Sequence, residues 1–259
     1  MEISGKYPIS SRQIYLNSKD AEKINPEFTS DCFFFFKEII APPTPNIEML
    51  LSVVSASIPM SFYVVNSTNN KLVYNTNQTH IIPSGNYNAT ELKNELETIS
   101  IFSSVTYCSK FNKLTFTGVS SFTIEETSSC LKLLGLTKKQ QTSSGNTLVG
   151  DSVVNLAGIS GLYLHTNLLN NNLDSRTGMF SNIIARIPVD TAPNGILQYA
   201  SQNEFKTVIN DTVIDVLRIQ IEDDEQNLVQ LNEQEWAITL QIDFQNKHLI
   251  NRDNVEQLK

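Results

Sequence analysis

The sequence predicts an all-β fold, a β-sandwich of the jelly-roll kind that carries a small α+β insertion. Three observations predict it. About eight segments outside residues 81–136 read as strands separated by turn residues. Helical periodicity is confined to residues 81–136. Strands and helices do not alternate, as a doubly wound parallel sheet would require.

The first thirty residues have little apolar periodicity, and Pro8 and Pro26 punctuate them. They predict an N-terminal arm (1–30) with one short strand at Ile14-Tyr15-Leu16, ended by Asn17-Ser18-Lys19-Asp20. Such an arm is either a frayed end or an extension that docks on a neighbour. Residues 31–40 hold four consecutive phenylalanines, Phe33 to Phe36, which favour a strand covered on both faces. Pro42, Pro43 and Pro45 end it. In residues 47–58, Val54, Ala56 and Ile58 alternate with serines until Pro59. Residues 62–66 and 71–75, joined by Ser67-Thr68-Asn69-Asn70, read as a hairpin.

From Ile81 the pattern changes. Leu92, Leu96 and Ile99 fall on one face of a helix, and Asn88 with Glu91 three positions on fits a capping box. Two strands follow, at 102–108 and 113–116, then a third at 121–125. Ser128-Ser129 caps a short predicted helix at 130–134, closed by Gly135. The polar run 138–146 reads as a mobile linker.

Strand character then returns at 153–156, 161–165, 181–189, 196–199, 212–221 and 236–244. An Asn-rich loop is expected at 167–179 and an acidic turn at 222–227. Off-phase apolar residues in 212–221 predict cover on both faces, whereas 236–244 alternates cleanly from Trp236, read as core. The resulting division is an arm (1–30), a discontinuous jelly roll (31–80 and 147–245), an α+β insertion (81–146) and a polar tail (246–259).

Composition narrows the function. The chain holds 27 Asn, 26 Ser and 21 Thr, while charged residues are only 18%. This excludes coiled coils, collagens and wholly disordered chains. A net charge of −8 argues against a nucleic-acid binder, whose affinity rests on many phosphate contacts. No apolar stretch approaches the length of a membrane helix, and the first residues lack the order of a signal peptide. Synthesis in a reducing compartment is therefore expected, with the sequons at Asn66, Asn77, Asn88 and Asn210 unmodified and Cys32, Cys108 and Cys130 unpaired.

No catalytic constellation stands out. His80, His165 and His248 have no metal-ligand spacing and read as strand-edge or surface histidines. Cys32 and Cys130 sit in apolar runs, where a thiol is packing. Glu125-Glu126 and Glu222-Asp223-Asp224-Glu225 read as solvated turn charge; the latter matches no EF-hand loop. A glycosidase would need a carboxylate pair facing a cleft. The expectation is no enzyme, no catalytic, cofactor-binding or metal residues, and no cofactor. A polar, uncharged surface suits a building block packed among copies.

Several segments resemble, in order, the penton (minor capsid) proteins of virophages, polinton-like viruses and related large double-stranded DNA viruses. They are Tyr15-Leu16-Asn17-Ser18-Lys19-Asp20, Ile58-Pro59-Met60-Ser61-Phe62-Tyr63-Val64-Val65-Asn66, Ile82-Pro83-Ser84-Gly85-Asn86-Tyr87, Leu133-Leu134-Gly135-Leu136, Arg186-Ile187-Pro188-Val189 and Ile219-Gln220-Ile221-Glu222-Asp223. The resemblance implies a single jelly roll standing at the fivefold vertices of an icosahedral capsid. It would be a homopentamer ringed by major capsid protein hexamers, made in the host cytoplasm or virus factory and located in the virion. No functional residues transfer with it. The competing expectations are a host-attachment or glycan-binding module with 81–136 as its head, and a β-sandwich hydrolase.

Overall fold

The computed structural model describes residues 8–24, 28–137, 140–201 and 205–247. The chain divides into two compact units. The first joins Met1–Phe62 to Ser160–Lys259, and the second is Tyr63–Ile159.

The first unit is built on eight principal strands. They are β1 (Ser10–Asn17), β2 (Asp31–Ile40), β3 (Ile47–Pro59), β4 (Gly161–Thr166), β5 (Ile183–Pro188), β6 (Ile196–Ala200), β7 (Ile214–Glu222) and β8 (Ala237–Asn246). One sheet runs β1-β8-β3-β6 and the other β5-β4-β7-β2, all antiparallel. Glu22–Lys23 extends the second sheet beyond β2, and Thr207–Val208 pairs with Leu51 and Leu50 of β3. The pairings nest: first strand with eighth, second with seventh, third with sixth, fourth with fifth. A long hairpin ribbon rolled into two sheets gives this nesting, and it defines a jelly roll.

Alternation explains the strands. In β8, Ile238, Leu240, Ile242 and Phe244 are buried, and in β7 Leu217, Ile219 and Ile221 are. In β3 the buried positions run Met49, Leu51, Val53 and then change phase to Ala56 and Ile58. The register against β8 shifts between Thr239 and Leu240, so Val54 is an extra residue, and this bulge resets the phase. Trp236 enters the core just before β8. Its Nε1 donates to the Thr29 carbonyl at 2.6 Å, and Phe34 meets it edge-on at 6.0 Å.

Several expectations change here. Residues 10–17 are a full strand of the sandwich rather than part of an arm. Because β1 is an edge strand, only Ile14 and Leu16 face the core, and the sequence shows too few apolar residues to reveal it. The four phenylalanines are not covered on both faces. Phe34 is buried, but Phe35 is 58% exposed and stacks on Phe33 at 6.5 Å, outside the core. On β7 the fully buried residues from Leu217 onward lie on one face, and the outward Arg218, Gln220 and Glu222 are only half-buried. The boundary of the insertion lies near residues 63 and 159 rather than 81 and 146.

The second unit has its own core. Lys71–Tyr74 pairs with Gln78–Ile81 through a turn in which Asn75, Thr76 and Asn77 all have positive φ. The expected partner segment 62–66 forms no strand and is tied instead by a bridge from Val65 to Gly85. Thr123–Ile124 and Gln141–Thr142 complete that sheet, so residues 141–142 are paired rather than linker, while 138–139 lie outside the described residues. The helix α1 (Ala89–Glu97) has both arms of the capping box between Asn88 and Glu91. Leu92, Leu96 and Ile99 pack there with Phe102, Val105, Leu114 and Phe116. Phe102–Cys108, Lys113–Gly118 and Thr147–Val149 form a three-stranded sheet. The expected helix at 130–134 is a single turn, with Leu134 N donating to the Cys130 carbonyl at 3.0 Å. Gly135 ends it at φ +71°, where a Cβ would lie 2.7 Å from the Ser152 carbonyl oxygen. Residues 153–156 form no strand, though Val154 joins the core.

Candidate functional site

The most developed polar cluster lies on the outer face of the second sheet. Leu162 and Leu164 of β4 point to the core, so Tyr163 and His165 point outward, beside Gln220 and Glu222 of β7. The Asn-rich segment expected to be a loop forms a hairpin, Asn172–Asp174 with Met179–Ser181, over these residues. Asp174 and Ser181 face inward and are buried. Arg176 holds the hairpin down. Its guanidinium donates to both Asp174 oxygens at 2.9–3.1 Å and to the Asp223 carbonyl at 3.0 Å, and lies 4.2 Å above the Tyr163 ring. Gly178, at φ +68°, closes the turn onto the Asp174 carbonyl.

His165 is neither at an edge nor on the surface, as was expected of it; the hairpin buries it. Its Nδ1 is 2.7 Å from Asn182 Oδ1, while Nε2 lies 3.2 Å from Glu222 Oε2 without the alignment of a hydrogen bond. The cavity beneath the hairpin holds about 340 Å³ and is lined by polar groups of His165, Asp174, Arg176, Asn182, Gln220 and Glu222. Its chemistry is that of a fastener. The hydrogen bond from Arg176 holds the Asp174 carboxyl below the usual carboxylate range, with burial opposing, so Asp174 stays ionised and paired. The hydroxyls lining it are committed to the backbone: Ser181 Oγ accepts from Ile183 N, and Thr177 accepts from Met179 N. Asp174, Arg176 and Asn182 left no signal in the sequence, since an Asp-Ser-Arg triplet within an Asn-rich run has no periodicity of its own.

The acidic run 222–225 is divided among local tasks. Asp223 Oδ1 accepts from Glu225 N and Asn227 N at 2.8 Å, closing the turn. Asp224 Oδ2 accepts from Ser160 N and Oγ at 2.8 Å. Glu125 Oε1 accepts from Thr76 N, and Glu126 is exposed; both belong to the second unit, apart from Glu222 and Asp223. His80 pairs opposite Leu72, and His248 lies outside the described residues. Among the described residues no three of His, Cys, Asp or Glu converge as metal ligands, and no helix is long and apolar enough to cross a membrane.

All three cysteines are free. Burial pushes the thiols of Cys32 and Cys130 up to about 12, while Cys108 is exposed. Two of the sequon asparagines do structural work. Asn88 caps α1, and Asn66 Oδ1 accepts from Thr68 N and Oγ1.

Two further surfaces of the first unit expose apolar side chains. Leu173 and Phe180 face each other across the hairpin on its outer side, 77% and 66% exposed. At the side of the sandwich where β5 and β6 are edge strands, a groove of about 630 Å³ opens, lined by Val53, Ile184, Ala185, Tyr199 and Phe205 together with the polar Asp190, Gln198 and Ser201.

No family model and no curated protein matches the chain. Among solved structures it is similar to the mavirus penton protein, at 11% identity and a TM-score of 0.48 over 90% of this chain and 99% of that one. It is also similar to a chain of the Sputnik virophage, at 12% identity and a TM-score of 0.43 over 89% of this chain and 97% of that one.

Proposed function

We propose that the chain is a structural virion protein, a penton or minor capsid subunit. Five copies close a ring at each fivefold vertex of an icosahedral capsid, beside hexamers of the major capsid protein. The observation that carries this reading is the nested pairing of the eight strands, interrupted between β3 and β4 by a unit with its own core. That is the arrangement implied by the ordered sequence matches, reached independently through hydrogen-bond register. The physical requirements of a ring are also met. A ring needs two different contact surfaces on each copy. The sandwich has two unlike open sides, one bounded by β1 and Glu22–Lys23, the other by β5 and β6. The best polar cluster fastens a hairpin and lacks a free nucleophile, which fits a role exercised through surfaces.

The test is a mass measurement on the purified chain, alone and co-expressed with a major capsid protein. The expected species is a pentamer of about 145 kDa, five chains of 29.0 kDa, or its incorporation into vertices. A chain that stays monomeric alone and never enters shells sinks the reading.

A further inference from the structure

We propose that His165 and Glu222 form a binding site for one divalent metal ion of the zinc class, in the cavity beneath the hairpin. The site lies wholly within the first unit and holds whatever the chain assembles into.

The fold leaves one buried nitrogen without a hydrogen bond. His165 is only 7% exposed, and among the described residues its Nε2 has no hydrogen-bond partner. Buried polar atoms are nearly always paired, so an orphan of this kind marks a place for an outside partner. The other ring nitrogen sets the form of the ring. Asn182 Oδ1 can only accept, so Nδ1, at 2.7 Å, carries the proton. In the neutral ring Nε2 then keeps its lone pair. Metal-bound histidines are held in this way, with one nitrogen donating to a fixed oxygen and the other turned to the ion.

Glu222 stands where a second ligand is needed. Its Oε2 lies 3.2 Å from Nε2. At that separation an aligned N–H would make an ordinary hydrogen bond, so the carboxylate lies off the ring axis. A proton on Nε2 would point past it. An ion need not lie in line with both atoms. Two donors each about 2.1 Å from one ion stand roughly 3.0–3.4 Å apart, between octahedral and tetrahedral angles.

The surroundings supply the rest. Gln220 pairs opposite His165 in the register and lines the same cavity, which gives a third, neutral oxygen. The cavity of about 340 Å³ has room for waters that complete the shell. Asn170 and Gln226 are exposed at its rim and mark the way in. Asp174 and Glu222 bring two negative charges to the cavity and Arg176 one positive, so a cation is favoured over an anion. An imidazole beside a carboxylate suits zinc-like ions, whereas magnesium and calcium take oxygen ligands. With two side chains of the usual ligand types the site is weak. Once bound, the ion would tie β4 to β7 under the hairpin.

The test is a titration of the full chain, purified from chelator, with Zn2+ and with Co2+ as its coloured substitute. The expected result is saturation at one ion per chain, a rise in melting temperature and slower hydrogen exchange across 172–181. The Co2+ spectrum should lack the intense band of a thiolate ligand, which sets Cys108 aside. Glu222→Gln keeps the shape and removes the charge. It should weaken binding at least tenfold while changing the ion-free melting temperature little, and His165→Gln should weaken binding as much. No saturable binding by the unmodified chain overturns the site, whether or not either variant folds. Binding that survives both substitutions is an adventitious ion only and overturns it too. Stabilisation by acid with none by zinc would assign the pair to a proton, with the same consequence.

Discussion

The two units reach a stable core by opposite routes. In the sandwich, every principal pairing except β4 with β5 joins segments far apart in sequence; Ser10 lies against Phe244 and Asp31 against Gln220. In the inserted unit the two longest pairings join near neighbours, 71–74 with 78–81 and 102–108 with 113–118, and even the more distant ones, such as Tyr74 with Ile124, stay within the insert. The sandwich also holds buried polar groups on the outer faces of its sheets. Asp243 is buried with Lys206 at 2.9 Å and accepts from Ser11, Asp31 takes Arg218 bidentately at 2.7–2.8 Å, and Asp174 takes Arg176. The inserted unit relies on a contiguous apolar cluster with Phe102, Phe116 and Phe122 ring to ring at 5.3 Å. The difference teaches that the sandwich depends on directional bonds between distant segments. The insert depends on local pattern and packing, so the two should respond differently to the same insult.

The largest separation should come from Trp236→Ala. Removing the indole empties the junction between the sheets and costs the sandwich about 3–5 kcal/mol. Hydrogen exchange should then rise across β2, β7 and β8 and stay low in α1; equal loosening of both units would break the comparison. Acid comes next. Burial pushes the carboxyls of Glu235 and Asp243 up, but hydrogen bonds more than offset it, from Ser18 and Lys23 for Glu235 and from Ser11, Lys206 and Gln241 for Asp243. Asp174 is lowered by Arg176. A carboxylate depressed in the native state adds stability in full above its unfolded pKa of about 4 and loses it as pH falls through the native value. In the inserted unit, Glu97, lowered by Lys93, is exposed and weighs little. Below about pH 4 the sandwich should therefore melt before the insert in a pH-resolved exchange experiment, and the reverse order would count against this account.

Gly135→Ala should act on the insert alone, by about 1–3 kcal/mol, because the position combines positive φ with the Ser152 carbonyl at 2.7 Å from a Cβ. A melting temperature for the insert unchanged from wild type would contradict it. Asn88→Ala should be smallest, about 1 kcal/mol, through loss of the capping bonds to Thr90 N and Glu91 N. Faster exchange confined to the first turn of α1 is the expected readout.

Local pattern was legible and distant pairing was not. The helix could be read from Asn88, Glu91, Leu92 and Leu96 because all its determinants lie within a few turns. Strand β8 could be read because one buried face makes strict alternation. By contrast β1 shows only Ile14 and Leu16, since an edge strand needs few apolar residues. The bulge at Val54 breaks a period that looked continuous. The periodicity of 130–134 suits a helix, yet Gly135 stops it after one turn. The hairpin at 172–181 was hidden for a further reason. Its strands are held by Asn, Asp and Arg side chains bonded to other segments, and such bonds leave no mark on hydrophobic spacing. The polar cluster around His165 was therefore missed as a whole, while the absence of a signature motif was plain.

The burial of two cysteines and the exposure of the third make the unmodified protein chemically addressable. Cys32 and Cys130 are shielded, so an alkylating heavy-atom or fluorescent reagent should reach one position, Cys108, at the end of a strand in the inserted unit. A single tag placed there without any substitution would report whether the surface of the inserted unit around Cys108 stays open or becomes covered when the chain associates with other molecules.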